Sequence, residues 1–121
     1  MYQLFPVKIL SKKIVAHRTM EVCFQKPVGF TYRAGQFVHV WLDVDSVSRK
    51  ENVRSMSLAS APFEDHLTVC MRMTDSPWKQ KMSALNIGDT IEISEARGVL
   101  WLTLQEEEVL NKTTVMIAGG I

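Results

Sequence analysis

Apolar and polar residues alternate along most of this chain with the period of two that marks β-strands. Between Phe5 and Val15 the apolar positions Val7, Ile9, Ile14 and Val15 predict strand, with Ser11, Lys12 and Lys13 forming either a turn or a solvated bend. Thr19 to Gln25 alternates through Met20, Val22 and Phe24 and is closed by Lys26-Pro27-Val28-Gly29, which predicts an antiparallel partner for the first segment. After a turn ending at Gly35-Gln36, Phe37 to Leu42 sets Phe37, His39 and Trp41 opposite Val38, Val40 and Leu42. Apolar on both faces, it predicts a central or clamped strand. Asp43 to Asn52 is polar and predicts a surface loop without a chemical role. Arg54-Ser55-Met56-Ser57-Leu58-Ala59-Ser60-Ala61-Pro62 then places Met56 and Leu58 on one strand face and Ser55, Ser57 and Ala59 on the other.

A turn over Phe63 to His66 leads into a strand from Leu67 to Met73. The period then changes. Asp75-Ser76-Pro77 offers a capping side chain and a proline for a first helical turn, and Trp78, Met82 and Leu85 recur at helical spacing, so a short helix ends near Asn86-Ile87-Gly88. Strands are predicted again over Thr90 to Ser94 and Val99 to Leu104, separated by an Ala96-Arg97-Gly98 turn. Glu106 to Glu108 predicts an exposed connection, and Thr113 to Ile117 a continuous apolar strand running into Gly119-Gly120. Short strands with frequent turn signals and one helix predict an all-β fold, a six-stranded antiparallel Greek-key barrel. An apolar strand before Gly-Gly is also how an α/β nucleotide-binding unit opens.

With 121 residues, 46% hydrophobic and 22% charged, the chain suffices for one domain with a core. A net charge of +1 supplies no footprint for nucleic acid, so any bound anion is small and locally held. Cys23 and Cys70 sit in apolar runs without metal-ligand spacing and predict buried free thiols in a reducing compartment. Lys8, Lys12 and Lys13 interrupt the N-terminal apolar pattern, so neither a signal peptide nor a membrane span is predicted, and the expected location is cytoplasmic. His17, His39 and His66 lack neighbouring acids at ligand spacing, Glu92 and Glu95 show no catalytic pairing, and no metal site is predicted. The seven methionines predict core filling. From these patterns alone, the stretch beginning at Arg54 reads equally as a ligand-binding strand or as a barrel strand with hydroxyls on one face.

Three stretches together resemble the flavin-binding barrel domain of the ferredoxin–NADP reductase family. Tyr32-Arg33-Ala34-Gly35-Gln36-Phe37-Val38 is similar to its aromatic-x-Ala-Gly-Gln-aromatic strand entry, and Arg54-Ser55-Met56-Ser57 to its Arg-x-Tyr-Ser flavin motif. Asp75-Ser76-Pro77-Trp78-Lys79 through Leu85-Asn86-Ile87-Gly88-Asp89-Thr90 is similar to the family's helix and Gly-Asp segment, and Ile117-Ala118-Gly119-Gly120 to the opening of the pyridine-nucleotide domain. The resemblance implies an FAD-binding barrel over residues 1–104. Residues 105–121 would then be a linker and the first strand of a truncated NAD(P)-binding domain.

The resemblance further implies that Arg54 pairs with the FAD pyrophosphate and that Ser57, the catalytic candidate, faces flavin N5. Ser55, Met56, Met71 and Arg72 line the cofactor. Ser76 and Pro77 supply the helix start that receives the pyrophosphate, and Lys79 either adds charge or is plain surface. Trp78 either covers the adenine or anchors the helix, and the stripe it shares with Met82 and Leu85 favours the anchor. FAD is expected ahead of FMN, with NAD(P)H as electron donor and an iron–sulfur or haem centre on a redox partner as acceptor. The alternatives are a flavin-free barrel serving as a docking module and a reductase using flavin as a loosely held substrate. Two departures mark the chain: Met56 replaces the family's stacking aromatic, and Glu95-Ala96-Arg97-Gly98 lacks its Gly-Pro turn.

Overall fold

A computed structural model describes residues 3–44, 49–100, 111–113 and 115–118. Six strands and one helix follow one another as β1 (Leu4–Ala16), β2 (Thr19–Gln25), β3 (Phe37–Trp41), β4 (Val53–Ser57), β5 (His66–Arg72), α1 (Pro77–Ala84) and β6 (Thr90–Ser94). They form one antiparallel sheet in the order β4-β3-β6-β1-β2-β5. β1 and β2, and β3 and β4, are antiparallel neighbours, while the connections from β2 to β3, β4 to β5 and β5 to β6 pass other strands, in keeping with the Greek-key expectation.

The first strand spans both halves of the sheet. Leu4 to Lys8 pairs with β6, and Ile9 onward pairs with β2 after a register shift between Ile9 and Ser11. Ser11 to Lys13 thus lies in a bent, continuous strand rather than a turn. An extra residue in one strand increases local twist and lets a sheet curl around a core. That core is made of alternate residues: Val7 and Ile9, Val22 and Phe24, Val38 and Val40, Leu67, Val69 and Met71, Ile91 and Ile93. The polar loop expected before β4 contains a 3-10 turn at Arg49–Asn52.

Helix α1 starts as its sequence requires. The Ser76 side chain accepts from the Lys79 amide at 3.3 Å, and Pro77 occupies the first turn, where its missing N–H costs no helical bond. Trp78 and Met82 are fully buried, and the Trp78 indole Nε1–H donates to the Val40 carbonyl at 3.2 Å. At the other end the Lys12 ammonium donates to the Ser83 carbonyl at 2.7 Å, placing positive charge where the helix dipole is negative. Among the described residues no helix is long and apolar enough to cross a membrane.

The closed barrel expected from the strand pattern is open along one seam. β4 and β5 are the two sheet edges, share no ladder, and are joined by the Ala59 amide donating to the Thr68 carbonyl at 2.8 Å. The expected strand over Thr113 to Ile117 also differs. Thr113 and residues 115–118 carry no regular secondary structure and are exposed, Ile117 at 93%. An apolar strand is stabilised only by a neighbouring edge and a covered face, and the described sheet gives these residues neither. Val99 and Leu100 likewise lie outside any strand and are exposed. Residues 101–104, Glu106 to Glu108 and Gly119-Gly120 fall outside the described residues.

Replacing Trp78 tests how far the helix holds the fold. Trp78→Ala is expected to destabilise by about 3–5 kcal/mol, as buried aromatic truncations do. Trp78→Phe, which removes the indole bond to the Val40 carbonyl, is expected to cost about 0.5–1.5 kcal/mol. Urea unfolding midpoints at an unchanged slope check both.

Candidate functional site

The unzipped seam between β4 and β5 is a cleft of about 500 Å³ lined by Arg54, Ser55, Met56, Ser57, Ala59, Cys70, Met71, Arg72 and Lys79. An edge strand presents both faces and its backbone to the same opening. Residues of opposite parity on β4 can therefore share one cleft.

The closed end of the seam is pinned by Tyr32. Its buried hydroxyl donates to the Ser60 carbonyl at 2.9 Å, and the Ser60 hydroxyl accepts the Thr68 amide at 3.1 Å. The Lys26 ammonium lies 5.5 Å from the centre of the Tyr32 ring while donating to the carbonyls of Pro62 and Glu64. Burial raises the Tyr32 phenol above its ordinary pKa, the bond to Ser60 lowers it and the Glu64 charge raises it further, so the hydroxyl keeps its proton. The aromatic of the first motif thus fixes the turn that closes the cleft.

β3 positions β4 from the other side. Val38 pairs with Met56 and His39 with Ser55, whose hydroxyl lies 2.9 Å from His39 Nδ1. The His39 ring also meets Phe37 and Trp41 edge-on, at 5.5 and 5.7 Å. Gln36 bridges this strand to the next turn, its amide donating to the Gly98 carbonyl at 3.0 Å. Gly98 adopts φ +100°, and a Cβ there would lie 3.0 Å from the Phe37 ring. The turn lacking the family's Gly-Pro is shaped by an antiparallel bridge between Arg97 and Phe37.

Of the residues expected from sequence, Arg54, Ser55, Met56, Ser57, Met71, Arg72 and Lys79 line the one cleft. Ser76, Pro77 and Trp78 do not. Trp78 is enclosed by the core, so of its two readings the structure supports the anchor. Ser76 spends its hydroxyl on the Lys79 amide, and its own amide faces the Thr74 hydroxyl at 3.4 Å. Arg54 Nη1 donates to the Val53 carbonyl at 2.9 Å, and the Lys79 ammonium donates to the Arg72 carbonyl. Three cationic side chains thus converge on a cleft whose lining holds no carboxylate.

Sequence reasoning missed Ala59 and Cys70. Cys70 was expected buried; both it and Cys23 are half-exposed, on the sheet face that alternates with the core residues. The signal was available in the parity of β5, because Leu67, Val69 and Met71 fill the core and leave Cys70 outward.

No family model matches the chain. It is 32% identical over 116 residues to respiratory burst oxidase homolog protein E of Arabidopsis thaliana, covering 95% of this chain and 12% of that protein. Among solved structures it resembles a ferredoxin NADP+ reductase from Neisseria gonorrhoeae with bound FAD and NADP (TM-score 0.69, 24% identity), covering 81% of this chain and 39% of the other. It also resembles phthalate dioxygenase reductase, described as a modular structure for electron transfer from pyridine nucleotides to [2Fe-2S] (TM-score 0.67, 21% identity), covering 82% and 31%. The fold is therefore that of the ferredoxin–NADP reductase barrel, as the sequence resemblance implied.

The Cys70 thiol sits above its ordinary pKa, first through burial and then through the facing Glu21 charge. Less thiolate is therefore present at pH 8, and Cys70 alkylation is expected to be slower than that of a free thiol and to rise at higher pH. Glu21→Gln removes one cause and is expected to shift the rate profile to lower pH. Peptide mapping after timed iodoacetamide treatment, resolving Cys70 from Cys23, measures this.

Proposed function

We propose that this chain is the FAD-binding barrel of a pyridine-nucleotide-dependent flavin oxidoreductase that passes electrons to an iron–sulfur or haem centre of a redox partner. Residues 1–104 form the barrel, and residues 105–121 lead into a domain for NAD(P)H. One observation carries the reading: Arg54, Arg72 and Lys79 line one open sheet seam whose described lining residues include no carboxylate. Cations gathered without acids suit a small polyanion such as a pyrophosphate. The likeness to a reductase with bound FAD and NADP supports it.

The residues present fit that group. Arg54 has five N–H donors, so it can keep the Val53 carbonyl and still grip phosphate. Among the described residues the Trp78 amide is the one first-turn N–H of α1 without a bond, since Pro77 has none and those of Ser76, Lys79 and Gln80 are engaged. The helix start therefore offers one donor rather than a cradle. Ser57, exposed on the edge strand, would offer its hydroxyl to the N5 edge of a bound ring, and Met56, in the same cleft lining, would pack against its face. Bound FAD would supply the chemistry that converts two-electron hydride delivery into onward electron transfer. The chain holds it in place, neutralises its phosphates and sets the hydrogen bond at its reactive edge.

Titrating the purified chain with FAD, FMN and riboflavin tests the proposal. FAD binding is expected, with Arg54→Ala weakening FAD by about tenfold to a hundredfold, the range of a lost charge-assisted bond, and leaving riboflavin nearly unchanged. Equal losses for both ligands would remove the phosphate role of Arg54. A chain that binds no flavin would leave the docking-module reading in its place.

A further inference from the structure

Helix α1 borders a second recess, of about 470 Å³, that shares no lining residue with the cationic cleft. Lys79 serves the cleft, while Lys81 and Leu85 serve the recess. Its walls carry two carboxylates, Asp43 and Glu92, against the one ammonium of Lys81. The two sites therefore differ in the sign of their charge.

The strands build this placement. Trp41 pairs with Glu92 across β3 and β6, which sets the two side chains next to each other on one sheet face. Asp43 follows two residues after Trp41, and Asn52 holds the backbone on both sides of it. The Asn52 carbonyl accepts the Leu42 amide at 2.8 Å, and its side-chain oxygen accepts the Val44 amide at 3.4 Å. Buried Leu42 and Ile91 give the recess an apolar floor, and the half-buried Trp41 ring meets His39 edge-on at 5.7 Å. Asp43, Lys81 and Glu92 are exposed. Among the described residues neither carboxylate has a hydrogen bond or ion pair, and Lys81 pairs with neither. An indole is thus flanked by two unpaired acids over an apolar floor.

We propose that this recess receives an arginine side chain of a partner protein, with the guanidinium over the Trp41 ring and its N–H groups on Asp43 and Glu92. The arrangement of acceptors decides for arginine over lysine. A planar guanidinium stacks on an indole while its fork of donors reaches two separate carboxylates, whereas an ammonium is a compact, strongly hydrated charge. The methylene stem packs on Leu42, Leu85 and Ile91. A half-buried tryptophan ringed by polar residues also has the composition of an interface anchor, where tryptophan and arginine carry much of the binding energy. Flavin binding has no part in this inference.

Titrating the isotopically labelled chain with blocked arginine, followed by nuclear magnetic resonance, tests it. Acetyl-arginine amide is expected to move the Trp41 indole N–H signal and the Asp43 and Glu92 amides, with a Kd of about 1 mM for a single isolated anchor. Acetyl-citrulline amide, the uncharged isostere, is expected to bind about tenfold more weakly and acetyl-lysine amide about threefold more weakly. Trp41→Leu is expected to weaken arginine binding about fourfold, and Asp43→Asn and Glu92→Gln about twofold each. Lys81→Gln removes the competing cation and is expected to tighten binding about twofold. Thermal unfolding of each variant checks its fold, and the exposed Glu92→Gln and Lys81→Gln changes decide the matter if Trp41→Leu unfolds. Equal binding of the arginine and citrulline amides overturns the inference. So does equal binding of the arginine and lysine amides, or a Lys81→Gln chain that binds arginine no more tightly. Agmatine, a guanidine without peptide groups, binding where acetyl-arginine amide does not would remove the partner protein. FAD titration of the Glu92→Gln and Lys81→Gln chains is expected to match the unaltered chain, so the inference and the flavin reading stand or fall separately.

Discussion

A sheet of six strands curls until its edges meet, and one backbone hydrogen bond, from the Ala59 amide to the Thr68 carbonyl, joins them. Everything at the candidate site follows from how little of that seam is zipped. Open strand edges expose backbone donors and acceptors and invite pairing with another chain. Here the edge is guarded by Arg54 on one side, Arg72 on the other and Lys79 from the helix between. Charges that discourage strand addition also make the opening a place for an anion, so one set of residues answers both demands.

The seam stays open because other contacts carry the shape. β1 crosses both halves of the sheet and bends where its register shifts, which sets the curl without edge closure. α1 is anchored by Trp78 and Met82, with the indole bonded to β3. The Tyr32, Ser60 and Thr68 clasp then fixes the one end where the edges do touch. A ligand entering the cleft thus meets walls already in position and orders few side chains, which lowers the entropic cost of binding.

Much of this was legible in the sequence, for local reasons. The β strands announced themselves by alternation, and α1 by its cap, its proline and the spacing of Trp78 and Met82. The gathering of Arg54, Met56, Ser57 and Lys79 was legible through the family resemblance, since nothing in their spacing says that β4 and β5 become opposite edges of one sheet. What escaped reading depends on tertiary context. Ser11 to Lys13 left a turn and a twisted, solvated bend open, and the register shift of β1 against β2 decides for the bend. Thr113 to Ile117 has strand composition but no neighbouring strand in the described sheet. For Trp78 the helical stripe with Met82 and Leu85 already favoured the anchor over the adenine, and its burial and its bond to Val40 agree.

Met56 sharpens what kind of site this is. The residue is half-buried, pairs with Val38 and packs against the hydrophobic core, so it forms part of the wall rather than a projecting platform. A thioether gives a flat ring dispersion contact without the offset-stacking geometry of an aromatic. Ring contacts at this position therefore contribute less to affinity than a tyrosine would. In the proposed flavin reading the compensation would be electrostatic: Arg54, Arg72 and Lys79 line a cleft whose described lining holds no carboxylate, and Arg18 adds charge in a neighbouring recess. With a net charge of only +1, this gathering of cations at one seam would, in the proposed reading, weight recognition toward the phosphates. Such a site is expected to lose affinity for the cofactor as salt rises faster than a site resting on stacked rings, because screening acts on charge and leaves dispersion untouched.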